Sequence, residues 1–102
     1  MPCTSEKYKT DYLFKKENNS NPIVFIHGVG LTKEIWKPQV EFFKKHNILT
    51  YDILGHGKTP LQKQQLNFDD FTKQLLNLLK ELEIKKVHLI GFSLGALIAR
   101  HF

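Results

Sequence analysis

Three short runs of mostly apolar residues, many of them β-branched, recur along this chain, and each is followed by a segment with helical character. The runs are Ile23–Ile26, Ile48–Tyr51 and Val87–Ile90. Continuous apolar runs of this length are typical of strands that are buried on both faces, as in parallel sheets. Strands that alternate with helices over short connections form right-handed βαβ units. We therefore predict an α/β protein whose doubly wound, mostly parallel sheet is covered by helices on both faces.

The helices are predicted from periodicity and from the residues that favour helix ends. Apolar residues recur at three- and four-residue steps over 68–82, which predicts an amphipathic helix. Asn67 precedes this helix as a good N-cap. A short helix with proline in its first turn is predicted over about 38–45, and the last helix is predicted over 94–102.

The N-terminal segment has a different pattern from the rest of the chain. Apolar and polar residues alternate weakly over residues 7–16, which predicts a strand. The polar residues 17–21 that follow are typical of a turn. We predict an N-terminal strand or hairpin with its turn over residues 1–21, and an α/β domain over residues 22–102.

Charge and cysteine content narrow the possible partners. The net charge is +5, but all the positive residues except Arg100 are lysines, and these stand singly or in separated pairs rather than in a cluster. Because arginine dominates the recognition of phosphate and guanine, we expect no nucleic-acid partner. Cys3 is the only cysteine, so neither a disulfide nor a cysteine metal site is expected. The polar N-terminus and the short apolar stretches lead us to expect a cytoplasmic protein with no membrane partner.

The segment Gly91-Phe92-Ser93-Leu94-Gly95 lies where the third predicted strand meets the last helix. A G-x-S-x-G pattern in this setting indicates a nucleophile elbow. The serine stands in a tight turn, and glycines at both ends remove side chains that would collide with neighbouring backbone. Its hydroxyl lies at a helix N-terminus, where free N–H groups favour developing negative charge. Ser93 is therefore the candidate nucleophile.

A second loop, His27-Gly28-Val29-Gly30, follows the first predicted strand. The carboxyl ends of parallel strands share one edge of the sheet, so we expect this loop on the same edge as Ser93. Gly28 and Gly30 let the backbone turn a main-chain N–H toward an oxyanion. We interpret His27 as a structural residue.

These two segments, with Trp36 and the loop Asp52-Ile53-Leu54-Gly55-His56-Gly57, resemble the N-terminal half of the α/β-hydrolase fold superfamily. The similarity is to its esterase, lactonase and carbon–carbon hydrolase branch, and it covers about residues 22–102. It implies an opening antiparallel hairpin followed by βαβαβα, cut off after the elbow. Ala96 and Thr59 are mild departures from the usual glycine and serine.

The resemblance also implies a role for each matching residue. Ser93 would be the nucleophile, and the backbone N–H groups of Val29 and Leu94 would form the oxyanion hole. The residues that would shape the elbow and the adjoining loops are His27, Gly28, Gly30, Asp52, Gly55, His56, Gly57, Gly91 and Gly95.

A serine nucleophile needs a general base that an acid orients, and in this superfamily both follow the serine along the chain. Among the nine residues after Ser93, His101 is the only histidine that could act as the base. It lies eight helical positions after Ser93, which corresponds to about 12 Å along the helix axis. His56 lies at the correct edge, but it matches the superfamily's Gly-His-Gly loop and we interpret it as structural. We expect the acid and base in a C-terminal part, and the 102 residues alone to be an inactive fragment.

The implied function is that of a serine hydrolase that works through an acyl-enzyme, with no metal or organic cofactor. Its small-molecule substrate would be a carboxylic ester first, a lactone or enol-lactone second and a diketone-like acid third. Nucleotide binding is disfavoured, because Asp52 and Lys33 stand where a P-loop and a dinucleotide fingerprint would need glycine. A non-catalytic binding protein with the same architecture is the alternative.

Overall fold

The computed structural model describes residues 3–61 and 63–102, so the first two residues of the predicted N-terminal unit lie outside the described residues. The strands are β1 (Cys3–Thr4), β2 (Asp11–Lys15), β3 (Ile23–Ile26), β4 (Ile48–Tyr51) and β5 (His88–Gly91). The helices are α1 (Lys37–Phe42), α2 (Phe68–Glu81) and α3 (Leu94–His101), and a 3₁₀-helical segment, Lys33–Trp36, leads into α1.

The described strands form one mixed sheet in the order β1-β2-β4-β3-β5. β3 lies between β4 and β5 and pairs in parallel with both. β2 pairs antiparallel with β4 and with β1, so the N-terminal segment extends the same sheet as an antiparallel hairpin. The predicted α/β fold with an opening hairpin is confirmed.

Helices cover both faces of the central strands, as predicted. Phe25 of β3 packs against Trp36 on the α1 face, with ring centroids 4.9 Å apart. The opposite face packs against α2 and α3. Its fully buried residues include Val24, Ile26, Leu49, Tyr51, Leu75, Leu78 and Ile98.

Asn67 caps α2 as predicted. Its side chain accepts the N–H of Asp70 at 3.1 Å, and the Asp70 carboxylate accepts the N–H of Asn67 at 2.8 Å. Two N–H groups without helical partners are thereby satisfied. None of the helices in the described ranges has the length and hydrophobicity needed to cross a bilayer.

Three predictions about the strands and helices are wrong in detail. The run 87–90 is not buried on both faces, because β5 pairs only with β3 among the described strands, and Ile90 is 41% exposed. The first strand is confined to Asp11–Lys15, because Lys9 has a φ of 55° and bends the chain before it. Helix α1 ends at Phe42 rather than near residue 45, where the chain turns with a bond from His46 N–H to the Phe43 carbonyl.

Candidate active site

Ser93 lies in the turn between β5 and α3, with a φ of 57° and a ψ of −117°. A non-glycine residue in such a conformation costs about 1–3 kcal/mol. The Ser93 carbonyl accepts the N–H of Ala96 at 2.9 Å and so begins α3. Its side chain is exposed and makes no capping hydrogen bond. A strained turn therefore presents the Ser93 hydroxyl at the N-terminus of a helix, with no hydrogen-bond partner among the described residues.

Close backbone contacts hold this turn against the end of β3. A methyl group at Gly91 would overlap the carbonyl of Gly95. A methyl group at Gly95 would overlap the carbonyl oxygens of Ile26 and His27. The N–H of Phe92 donates to the Ile26 carbonyl at 3.0 Å. Glycine at positions 91 and 95 therefore lets α3 lie directly on the end of β3.

The loop that follows β3 touches the serine turn. A Cβ added to Gly28 would lie 2.9 Å from the Ser93 Cβ and 3.0 Å from the Phe92 carbonyl oxygen. Val29 and Gly30 are both exposed beside this contact. The structure thus brings the loop 27–30 and Ser93 together at one edge of the sheet.

His27 is fully buried, and both of its ring nitrogens have partners. Nε2 accepts the N–H of Ile53 at 3.0 Å, and Nδ1 lies 2.8 Å from the carbonyl oxygen of Gly28. Because Nε2 accepts, the ring proton is on Nδ1 and is donated to Gly28. Burial lowers the pKa of His27 below its ordinary value, which favours this neutral form. His27 therefore ties the loop after β3 to the loop after β4.

The same contacts fix the peptide plane between Gly28 and Val29. The Gly28 carbonyl accepts from His27 and also from the N–H of Leu31, at 3.2 Å. In a trans peptide the C=O and N–H bonds point in opposite directions, so the Val29 N–H points away from these donors. Within the described ranges the Val29 N–H has no acceptor. Leu94 is the first residue of α3, so its N–H has no acceptor within the helix either.

Asp52 organises the loop that follows β4. It is buried, and its carboxylate accepts the N–H of Lys33 at 2.7 Å and the N–H of Lys58 at 3.0 Å. A methyl group at Gly57 would overlap this carboxylate. Gly55 and Gly57 have φ values of 75° and 53°, which only glycine adopts without strain. The loop therefore folds around one buried carboxylate.

Asp11, Lys33 and Gln74 form a buried polar network with Asp52, and none of them stands out in the sequence. The Lys33 ammonium donates to Asp11 and lies 3.6 Å from Oδ2 of Asp52. Gln74 on α2 donates to the Asp52 carbonyl and accepts the N–H of Leu54, both at 3.1 Å. These partners are separated by about 20 residues, so no local pattern reveals them. The one signal was that Gln74 falls on the apolar stripe of α2.

The histidines of the chain are not positioned as partners of Ser93. Nδ1 of His56 lies 3.0 Å from the Leu54 carbonyl oxygen, and its ring centroid is 5.3 Å from that of His27. His101 pairs with Asp69 across 3.2 Å at the surface. In the part of the chain that the structure describes, no histidine or carboxylate hydrogen-bonds to the Ser93 hydroxyl. That part also contains no group of three or more His, Cys, Asp or Glu side chains that could hold a metal.

A cavity of about 420 Å³ lies at the other edge of the sheet. Its lining includes Pro22, Asn47 and Lys86, which stand at the amino ends of the three parallel strands. Sheets of this kind place their sites at the carboxyl ends, where Ser93 lies. This cavity is therefore separate from the candidate site.

A family model described as the alpha/beta hydrolase fold matches residues 21–102. The chain belongs to the alpha/beta hydrolase fold family. It is 34% identical over 91 residues to the (E)-2-((N-methylformamido)methylene)succinate hydrolase of Acinetobacter baylyi, and 33% identical over 82 residues to 3-oxoadipate enol-lactonase 1 of the same organism. These matches cover 88% and 79% of this chain but 34% and 30% of the relatives. The chain thus spans about a third of the length of the curated relatives it matches.

Solved structures of alpha/beta hydrolases agree with this assignment. The enol-lactonase from Burkholderia xenovorans LB400 matches with a TM-score of 0.83 at 30% identity, over 87% of this chain and 35% of that one. Epoxide hydrolase A from Mycobacterium thermoresistibile matches with a TM-score of 0.89 over 99% of this chain and 34% of that one. Its identity is 19%, so this likeness concerns the fold alone. The family resemblance predicted from the motifs is confirmed.

Proposed function

We propose that this chain carries the nucleophile and the oxyanion hole of a serine hydrolase that acts on carboxylic esters or related carbonyl substrates. One juxtaposition supports the proposal. The exposed hydroxyl of Ser93, in a strained turn, adjoins the N–H of Leu94 and the loop that carries the Val29 N–H. Unpaired N–H donors beside a nucleophile are what stabilisation of an oxyanion requires.

The proposed reaction begins when Oγ of Ser93 attacks the substrate carbonyl carbon and its proton passes to a general base. The carbonyl oxygen becomes an oxyanion that accepts hydrogen bonds from Val29 and Leu94. Collapse of the tetrahedral intermediate expels the alcohol, which takes the proton from the base, and leaves an acyl group on Ser93. Water then gives a proton to the same base and attacks the acyl carbon. The bond between the acyl carbon and Oγ breaks, the base returns the proton to Oγ of Ser93, and the carboxylic acid is released.

The N-terminus of α3 supports the proposed oxyanion hole. The first N–H groups of a helix lack intrahelical acceptors, and the helix dipole places partial positive charge there. Leu94 and Ser93 lie at this end of α3. Negative charge that develops on a carbonyl oxygen beside Ser93 is therefore stabilised by both the dipole and the direct hydrogen bonds.

We propose that the general base and its acid lie outside residues 1–102. Both nitrogens of His27 are occupied by backbone partners. His101 pairs with Asp69, and His56 is turned to the Leu54 carbonyl through Nδ1. The relatives are about two and a half times as long as this chain, which leaves room for both groups. By itself the 102-residue chain is then inactive.

The names of the relatives support a class of substrate for this proposal. They include a substituted succinate hydrolase, an enol-lactonase and the pimeloyl-[acyl-carrier protein] methyl ester esterase of Legionella pneumophila. Esters and lactones share a carbonyl carbon that bears an oxygen leaving group, the target that an activated serine attacks. We therefore place carboxylic esters first, lactones second and diketone-like acids third.

The test is hydrolysis by the complete gene product that contains residues 1–102. p-Nitrophenyl acetate, p-nitrophenyl butyrate and dihydrocoumarin are the probes, and Ser93→Ala is compared with Ser20→Ala, a second exposed serine. We expect kcat to fall on the order of 10⁶-fold in Ser93→Ala and to be unchanged in Ser20→Ala. Activity retained in Ser93→Ala would refute the nucleophile. Inactive wild-type protein would favour the non-catalytic alternative.

A further inference from the structure

Lys33 is a buried cation at the end of the turn that follows β3. Its side chain is 6% exposed, and its ammonium group donates to the carboxylate of Asp11. The ammonium also lies 3.6 Å from Oδ2 of Asp52 and 3.4 Å from the carboxylate of Glu34. Asp11 begins β2 and Asp52 follows β4. One side chain therefore bridges the ends of two neighbouring strands.

The backbone of Lys33 contacts the same carboxylate as its side chain. Its N–H donates to Oδ1 of Asp52 at 2.7 Å, while its ammonium lies near Oδ2. Burial by itself would lower the pKa of Lys33. The hydrogen bond to Asp11 and the charge of Asp52 outweigh burial, so the pKa of Lys33 is raised. Lys33 is therefore charged at neutral pH, and it is held at both ends.

These contacts make Lys33 the second of two anchors for the turn 28–32. At the first anchor, His27 accepts the N–H of Ile53, and at the second Lys33 donates to Asp52. Both anchors fasten the turn to the segment that follows β4. Between them, the N–H of Leu31 donates to the Gly28 carbonyl.

We infer that Lys33 is a positioning residue that fixes the turn 28–32 and thereby the direction of the Val29 N–H. The oxyanion role of that N–H rests on the proposed function, whereas the anchoring of the turn does not.

The ion pairs of Lys33 are expected to fix the position of the turn 28–32 more than to raise the stability of the fold. A buried ion pair adds little net stability, because the desolvation of both charges offsets their attraction. Two carboxylates around one ammonium do, however, restrict where its backbone can lie. A displacement of about 1 Å in an active site can lower the rate about 100-fold, so a small movement of this turn has a large effect.

The test compares Lys33→Met with Lys37→Met in the complete gene product. Lys37 is the matched control, because its side chain is 77% exposed and pairs only with Glu34 among the ion pairs of the described residues. The first measurement is hydrogen–deuterium exchange at the Leu31 N–H, because this group donates to the Gly28 carbonyl within the turn 28–32. The second is kcat and KM for p-nitrophenyl acetate, per active site titrated with a fluorophosphonate. Lys33→Met leaves the buried Asp11 carboxylate without its cation. If this variant does not fold, the double variant Asp11→Asn/Lys33→Met, which also removes that carboxylate, is used instead.

In Lys33→Met we expect Leu31 exchange about 10-fold faster, with exchange in β3 and β4 unchanged. We also expect kcat to be about 10- to 100-fold lower with KM within about twofold. Lys37→Met should match wild type in every measurement. Unchanged Leu31 exchange in a folded variant without the lysine would overturn the inference. Faster Leu31 exchange in Lys33→Met, together with a wild type that hydrolyses no ester, would keep the anchoring by Lys33 and refute the proposed function instead.

Discussion

Gly57 is a position where one added methyl group tests whether the Asp52 carboxylate organises the loop after β4. Its φ is 53°, and a Cβ there would overlap that carboxylate. Gly30 is the matched control, because its φ is 77° but an added Cβ meets nothing within 4 Å. Alanine at the two positions therefore imposes similar backbone strain, and only Gly57→Ala adds a clash.

The magnitudes follow from the contacts of Asp52. Alanine in the left-handed conformation costs about 1–2 kcal/mol, which is the loss expected for Gly30→Ala. Gly57→Ala carries the same strain and also displaces a carboxylate that accepts N–H groups from Lys33 and Lys58. Each hydrogen bond to a charged group contributes about 1.5–3 kcal/mol. With at least the Lys58 bond broken, we expect a total loss of about 2.5–5 kcal/mol.

The assay is urea unfolding of the complete gene product, followed by circular dichroism. The same two alanine substitutions are then made in an Asp52→Ala background. There Gly57→Ala should cost no more than Gly30→Ala, because the carboxylate that it displaces is gone. Equal losses at the two glycines with Asp52 present would refute the reasoning.

Three further predictions concern stability, each measured as the free energy of unfolding. Tyr51→Phe should gain about 1 kcal/mol, because the fully buried Tyr51 hydroxyl has no partner among the described residues; a loss would show a hydrogen bond to that hydroxyl. Asn67→Ala should lose about 1 kcal/mol with the capping box, whereas Asn19→Ala at the exposed turn should be neutral; equal effects would contradict the cap. Burial lowers the pKa of His27 in the folded protein, so the contribution of its neutral form to the free energy of unfolding is fully present above pH 6.5 and is lost as pH falls through the lowered pKa. The same pH dependence in His27→Gln would assign the loss of stability to another group.

The elements that could be predicted are those whose signal is local. The runs 23–26 and 48–51 are mostly apolar because β3 and β4 are buried on both faces, and this pattern can be recognised in the sequence. The serine turn could be placed because Gly91 is required by a contact within a few residues, with the backbone of Gly95. Asn67 was identifiable for the same reason, since its partner is Asp70.

The features that could not be predicted depend on contacts between distant parts of the chain. In the sequence Lys33 is one lysine among many, yet its partners are Asp11 at the start of β2 and Asp52 just after β4. The exposure of Ile90 follows from the edge position of β5, which a four-residue apolar run does not encode. His27 could be interpreted as structural, but its bond to Ile53 depends on how two loops meet.

Covalent labelling of the serine tests the central claim most directly. The complete gene product is treated with a fluorophosphonate probe at neutral pH, digested and sequenced by mass spectrometry, beside Ser93→Ala and Ser20→Ala. We predict a single adduct on the peptide that contains Ser93, lost in Ser93→Ala and retained in Ser20→Ala. A folded wild-type protein that takes up no probe at Ser93, or takes it up equally in Ser93→Ala, would contradict the account.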